Sequence, residues 1–243
     1  MNTSMRPMRF NPSSSSLLSS TSVKLAIAMV VVSVLVQLGG PAVAQYLLLI
    51  PGLTLHGWVW QLVTYPFIET NVLSLLIDGF VLVMIGLGVE QSWGPRRVLA
   101  LSVGTSVAAG VLTVLLSLVI PSLRSFPFLG AGVMVTALWI AYGLSFGRTQ
   151  MNFWGIPLTG NGLAWVGVGF VALNGVFGGW RPVLPEALGA ALTFGYFRLG
   201  APRTLWLRFT SWRLQQKLRG RARHLKVVGK DRNTSNDSDR YLH

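Results

Sequence analysis

The segment FPFLGAGVMVTALWIAYG, residues 126–143, is almost wholly apolar and decides the kind of fold this chain adopts. It belongs to an apolar run that is long enough for a membrane-spanning helix, which needs ~20 residues. Residues 130–132, two glycines around an alanine, lie near its start, and its only hydroxyls belong to Thr136 and Tyr142. Small residues at such a place allow helices to pack closely. No serine lies between Phe126 and Leu144.

The composition of the whole chain is that of a polytopic membrane protein. Of its 243 residues, 51% are hydrophobic and only 11% are charged, against about 25% charged residues in soluble domains. The absence of cysteine excludes disulfides, thiol nucleophiles and thiolate metal sites. With only three histidines as well, we expect neither a metal site nor a cofactor.

Six apolar segments predict an all-α fold, a polytopic bundle of six transmembrane helices. They cover residues 23–38, 71–89, 98–120, 128–146, 162–178 and 185–199. The first span may be followed by a re-entrant or interfacial piece at 42–50, and the sixth span is short. Outside the membrane domain, 23–200, we predict a disordered cytoplasmic N-terminus at 1–22, a basic amphipathic helix at 201–228 and a disordered tail at 229–243.

Positive charge predicts the orientation of the bundle. Arg96 and Arg97 follow the second span, Arg148 follows the fourth, and twelve of the twenty Lys and Arg residues lie from Arg198 onward. Since cytoplasmic loops carry excess Lys and Arg, this pattern places both termini in the cytoplasm. Alternatively, the first apolar run and the following PAVAQ belong to a signal peptide that is cleaved before Gln45. The long polar leader up to Lys24 favours the uncleaved interpretation.

Asp78, in SLLIDGFVL, is predicted to be the only acid well inside a span, with Ser74 one turn earlier on the same face. Ionisable groups at this depth are rare and are functional candidates. Two interpretations of Asp78 stay open. Either its buried carboxyl forms hydrogen bonds with Ser74 or with a neighbouring helix, or it belongs to a polar cavity that receives a substrate or a partner helix. A coupling site in a small transporter is a third, weaker possibility.

Several segments together resemble the rhomboid family of six-span membrane proteins, over residues 23–200. One such segment is HGWVWQLVTYPFIETNVLSLLIDGFVLVMIGLGVEQSWGPRRVLAL. Its Trp60 and the following glutamine stand where family members carry Trp-Arg. Glu90 and Trp93-Gly94 match the family's elements at the end of the second span. FLGAGVMVTALWIAYG resembles the Gly-x-Ser-Gly helix. NFWGIPLTGNGLAWVGVGF is similar to the Ile-Pro loop, and PEALGAALTFGYFRLG resembles the last span.

Active rhomboids are intramembrane serine proteases, and the resemblance implies where their catalytic groups would stand. The nucleophile position falls on Gly132 and the base position near Ala187. The two positions that hold the oxyanion fall on Ser74 and Asp78. All four differ from the catalytic residues, and a negative Asp78 would repel an oxyanion.

We therefore predict a pseudoprotease that binds transmembrane segments or membrane-protein clients. The candidate residues for its binding cavity are Ser74, Asp78, Gly130, Gly132 and Thr136. The alternative is an active rhomboid-type serine endopeptidase with displaced catalytic residues, such as Ser106 or Ser145. The simpler interpretation of both serines is a hydrogen bond to their own helix.

The basic segment after the last span predicts a helix lying on the membrane surface. Its apolar and basic side chains suit an interface with anionic lipid headgroups. The candidate interface residues are Trp206, Trp212, Arg213 and Lys217. A docking site for a cytoplasmic partner is the alternative, and no nucleic-acid partner is expected.

Overall fold

The structure, a computed structural model, describes residues 19–153 and 156–199 and is mostly helical. The described residues up to Arg198 belong to one compact unit. Its α-helices are α1 Thr21–Leu47, α2 Pro51–Leu55, α3 Gln61–Thr64, α4 Val72–Trp93, α5 Pro95–Leu99, α6 Thr105–Val119, α7 Gly132–Phe146, α8 Gly160–Gly178 and α9 Trp180–Leu199. A π-helical turn, Ala100–Gly104, joins α5 to α6, and 3₁₀ turns lie at Tyr65–Phe67 and Pro121–Leu123.

Each of the six predicted spans falls on a helix, and four helices in the described part are long and apolar enough to cross a membrane. These are α1, α4, the continuous helical segment Pro95–Val119 that α5, the π turn and α6 form together, and α8. Helix α7 is apolar but has only 15 residues. Helix α9 has 20 residues but carries Arg181, Glu186 and Arg198. The fifth and sixth crossings therefore stay predictions.

Helix α1 is interrupted where the sequence indicated a separate interfacial piece after the first span. Gly40 takes a φ of 67°, outside the helical region, and Pro41 follows it. Proline lacks the N–H that would bond back into the preceding turn, and glycine tolerates the left-handed conformation. The residues after this break thus form a second helical segment, which ends at Leu47.

The connection between α7 and α8 contains two short strands, which the prediction of an all-α fold did not include. Strand β1, Gln150–Phe153, pairs antiparallel with β2, Ile156–Thr159, in a two-stranded sheet. Backbone groups that leave a membrane helix need hydrogen-bond partners, and the two strands supply them to each other. Thr159 then caps α8, since its hydroxyl accepts a hydrogen bond from the Gly162 N–H at 3.1 Å.

Small residues let α4 approach two different helices. A β-carbon added at Gly86 would lie 2.5 Å from the Ser22 hydroxyl of α1, whereas one added at Gly88 would lie 2.9 Å from the Tyr142 ring of α7. The two glycines therefore face different neighbours. At each contact the missing side chain lets the helices approach closely. Glu90, one turn after Gly86, faces α1 as well.

The Glu90 carboxylate holds the start of α1. Its oxygens accept hydrogen bonds from the hydroxyls of Ser20 and Ser22 at 2.6 and 3.1 Å. They also accept bonds from the N–H groups of Thr21 and Ser22 at 2.9 and 3.2 Å. The first N–H groups of a helix have no partner within it. The carboxylate supplies that partner and a charge that suits the helix N-terminus.

The loop between α1 and α4 is held by Gln61, which is fully buried. Its side-chain amide donates to the Gln45 carbonyl at 2.9 Å, and its oxygen accepts from the Ile50 N–H at 3.1 Å. The neighbouring Trp60 indole donates to the Tyr46 carbonyl at 3.0 Å. Trp60 also stacks on Trp58. These bonds fix the loop on the end of α1, where its aromatic rings suit a membrane interface.

Candidate functional site

Residues 130–132, at the start of α7, contact two acidic side chains. Gly130 has a φ of +115°, which favours glycine, and its N–H donates to the Tyr65 carbonyl at 3.3 Å. A β-carbon added at Gly130 would lie 3.3 Å from a Glu69 carboxyl oxygen, and one added at Gly132 would lie 3.1 Å from the Glu186 carboxyl carbon. Both glycines thus make room for a carboxyl group.

Glu69 is the buried member of this acidic group, with 8% of its surface exposed. One carboxyl oxygen accepts a hydrogen bond from the Ala131 N–H at 2.6 Å, and the Glu69 N–H donates to the Ser33 hydroxyl at 2.9 Å. Burial raises the pKa of the Glu69 carboxyl above its ordinary value, and repulsion from Glu186 adds to this. Glu69 therefore connects the loop before α4 to the start of α7.

Glu186, in α9, is held by two side chains from other helices. The Thr136 hydroxyl of α7 donates to one carboxyl oxygen at 2.8 Å, and the Asn174 amide of α8 donates to the other at 3.3 Å. The charge-assisted hydrogen bonds join three helices around one half-buried carboxylate.

Asp78 completes the acidic group from α4. It lines a cavity together with Glu69 and Glu186. That Asp78 is the only acid well inside a span stays a prediction, because the sixth crossing does. Helix α9 begins at Trp180, so Glu186 lies in its second turn and reaches the same cavity as Asp78.

Two adjoining cavities, of about 260 and 290 Å³, surround these acids. Both are lined by Ser74, Asp78, Gly132, Asn174 and Glu186. The first also has an apolar side, because Ile77 of α4 and Phe170 of α8 line it. These two side chains are 53% and 52% exposed. The cavity therefore reaches the outer surface of the bundle between α4 and α8.

The structure brings the five predicted cavity residues together. Ser74, Asp78, Gly132 and Thr136 line the first cavity, and Gly130 lines the second. Ala187, near which the resemblance places the base, lines a separate apolar groove between α8 and α9. Whether this arrangement binds a client stays a prediction.

Sequence reasoning missed Glu69, Asn174 and Glu186 as members of this site. One signal was available for Glu186, an acid at the second position of the predicted span 185–199. With the span placed from Pro185, this acid stood at the membrane edge, whereas the helix extends five residues further toward its start. No local pattern distinguishes Glu69 or Asn174, because both belong to the site only through tertiary contacts.

The serines considered as displaced nucleophiles are bonded to their own helices. The Ser106 hydroxyl donates to the Ser102 carbonyl at 2.7 Å, and the Ser145 hydroxyl donates to the Ala141 carbonyl. The ring of His56, in the loop after α2, lies 2.6 Å from the Gly52 carbonyl oxygen. Within residues 19–153 and 156–199, no group of three His, Cys, Asp or Glu residues is arranged to hold a metal ion.

The motif residues predicted to be structural lie at contacts between elements. Trp60 and Glu90 hold the first loop and the start of α1, as described above. Trp93, the last residue of α4, stacks on Phe197 of α9 with ring centroids 5.5 Å apart. Gly94 has a φ of 86° and separates α4 from α5. The lipid-interface candidates Trp206, Trp212, Arg213 and Lys217 lie outside the described residues, as do the predicted segments 201–228 and 229–243 and most of 1–22.

Comparison with known proteins gives one result for the whole bundle. The model of a family described as eukaryotic integral membrane protein (DUF1751) matches residues 20–198. No curated protein matches the chain. The matched region extends from the residue before α1 almost to the end of α9, so it includes every residue of the acidic cavity.

Proposed function

Because this chain belongs to the DUF1751 family of eukaryotic integral membrane proteins, we propose that it binds transmembrane segments of client proteins. In this proposal the protein is rhomboid-like and proteolytically inactive. The client enters between α4 and α8, and the acidic cavity receives it. The chemistry of the cavity supports a noncatalytic role. Its opening between α4 and α8 supports a binding role.

The observation that carries the noncatalytic part is the contact between Gly132 and Glu186. Gly132 has no side chain to attack a carbonyl, and the nearest charged group is a carboxylate, 3.1 Å from where a β-carbon would stand. Serine proteases need a hydroxyl activated by a base and donors for the oxyanion. A carboxylate would oppose the developing negative charge.

The binding part rests on the combination of apolar and polar walls. A membrane-buried carboxyl is stabilised by hydrogen-bond donors. Glu186 already accepts from Thr136 and Asn174. The half-exposed Ile77 and Phe170 give a neighbouring helix an apolar surface from which its polar groups can approach the acids.

We expect photoreactive residues at positions Ile77 and Phe170 to crosslink to transmembrane segments of other proteins in native membranes. The matched control is Leu115 of α6, which is 51% exposed but does not line either acidic cavity. Mass spectrometry of the crosslinked peptides is the measurement. Equal capture of transmembrane segments at all three positions, or capture at none, would contradict client binding between α4 and α8.

We expect Gly132→Ser to leave a generic rhomboid substrate uncut. The new hydroxyl would lie against the Glu186 carboxylate, without a histidine to take its proton. Cleavage of a reporter in proteoliposomes is the measurement, with an active rhomboid as the positive control. A fluorophosphonate probe should also fail to label the unmodified protein. Stoichiometric labelling that is lost in Ser106→Ala or Ser145→Ala would establish the displaced-nucleophile alternative instead.

A further inference from the structure

A second cleft, separate from the acidic cavities, lies between the α5–α6 segment and α9. Its volume is about 520 Å³. The residues that line it are mostly small or apolar, and Arg97 is the one cation among them. The proposed function assigns no role to this cleft.

One wall of the cleft is a groove floored by small residues. Ala100, Gly104 and Ala108 are exposed and four residues apart, so they lie along one side of the π turn and α6. A β-carbon added at Gly104 would meet no atom within 4 Å. The opposite wall is apolar, with Leu192 and Phe197 of α9. The groove is therefore open along its length and suits an apolar chain.

The end of the groove nearest α5 is polar. Arg97 is exposed and lines the cleft there. The stacked rings of Trp93 and Phe197 lie at the same end, and the Tyr196 ring packs edge-on against Phe197. A guanidinium binds phosphate through two parallel hydrogen bonds, and aromatic rings with a polar tip suit the headgroup level.

The charge of the cleft favours a phospholipid as its occupant. Arg97 is the one charged side chain of a lining that is otherwise small, apolar or uncharged. A single acyl chain beside the small residues, with an anionic headgroup at Arg97, complements both parts of the cleft.

We propose that this cleft binds an anionic phospholipid. The phosphate is held by Arg97, and one acyl chain lies along Ala100, Gly104 and Ala108. Cationic pockets between membrane helices recognise anionic headgroups in this way. The inference is independent of client binding, since it uses neither the acids nor the α4–α8 opening.

The test compares Arg97→Gln with Arg96→Gln in the full-length protein. Arg96 is a neighbouring exposed cation that does not line the cleft. Native mass spectrometry after incubation with phosphatidylserine or phosphatidylcholine measures how many lipids stay bound. We expect Arg97→Gln to lower the preference for phosphatidylserine about fivefold, as the loss of one basic contact implies. Arg96→Gln should retain that preference.

A second pair of variants tests the groove. Ala108→Phe should fill it and lower retention of both lipids, whereas Leu115→Phe, elsewhere on α6, should not. Thermal unfolding in detergent checks that each variant is folded. If both arginine variants lose the preference for phosphatidylserine equally, that preference comes from general surface charge and the proposal is overturned. Unchanged lipid retention in folded Ala108→Phe would overturn it as well, as would a photoreactive residue at Ala108 that crosslinks to a peptide and not to lipid.

Discussion

Replacing Gly143 with leucine is expected to abolish the folded bundle. A β-carbon at Gly143 would lie 2.6 Å from the Ala164 nitrogen and 2.7 Å from the Gly160 carbonyl oxygen of α8. Both atoms belong to the backbone, so neither can rotate away. Overpacking of a core costs about 1–3 kcal/mol when side chains can adjust. We expect a larger loss here, because α7 and α8 would have to separate.

The measurement is the fraction of protein that remains monodisperse in mild detergent, together with its unfolding temperature. Gly169→Leu is the matched control. Gly169 lies in α8, is exposed, and has no atom within 4 Å of an added β-carbon. Its replacement should leave the unfolding temperature unchanged or raise it, since glycine is a poor helix former. Similar behaviour of the two variants would contradict the close approach of α7 and α8.

Glu90→Ala is expected to give the second-largest loss of stability. It removes the acceptor of two backbone N–H groups and two hydroxyls at the start of α1. Hydrogen bonds to charged groups contribute ~1.5–3 kcal/mol each, but bonds that share one acceptor group are not additive. We therefore expect the free energy of unfolding to fall by about 2–4 kcal/mol.

Glu90→Gln should show a smaller loss than Glu90→Ala, because the amide oxygen still accepts hydrogen bonds but carries no charge. The control is Gln91→Ala, an exposed residue of the same helix, for which a change below about 0.5 kcal/mol is expected. Proteolysis near residue 21 gives a local readout, since loss of the cap should make the start of α1 accessible. If Glu90→Ala and Gln91→Ala unfold alike, the carboxylate does not hold α1.

The Gly143 substitution acts on the framework that positions the acidic cavity. The contact at Gly143 sets α8, and therefore Asn174, against α7, which carries Thr136. Both side chains donate to Glu186. A weakened α7–α8 contact should thus loosen the cavity before the bundle unfolds. Client crosslinking at Phe170 is expected to report this loosening.

The sequence alone determined the class of protein and where its helices lie. Lipid cannot bond to backbone groups, so a membrane helix must be a long, continuous apolar run, and this property is local in the sequence. All six predicted segments fall on helices for this reason. The break after the first span was also foreseeable, because Gly40 and Pro41 act on the backbone around them.

The tertiary structure alone decided which groups meet at the start of α7. Glu69 bonds to the backbone of Ala131, 62 residues later, and Thr136 bonds to Glu186, 50 residues later. Composition and periodicity carry no information about such pairs, because the contacts depend on how the helices pack. The resemblance to rhomboids directed attention to Gly132, but the carboxylate opposite it comes from another helix. A missing side chain is visible in the sequence, whereas the group that occupies its space is decided by packing.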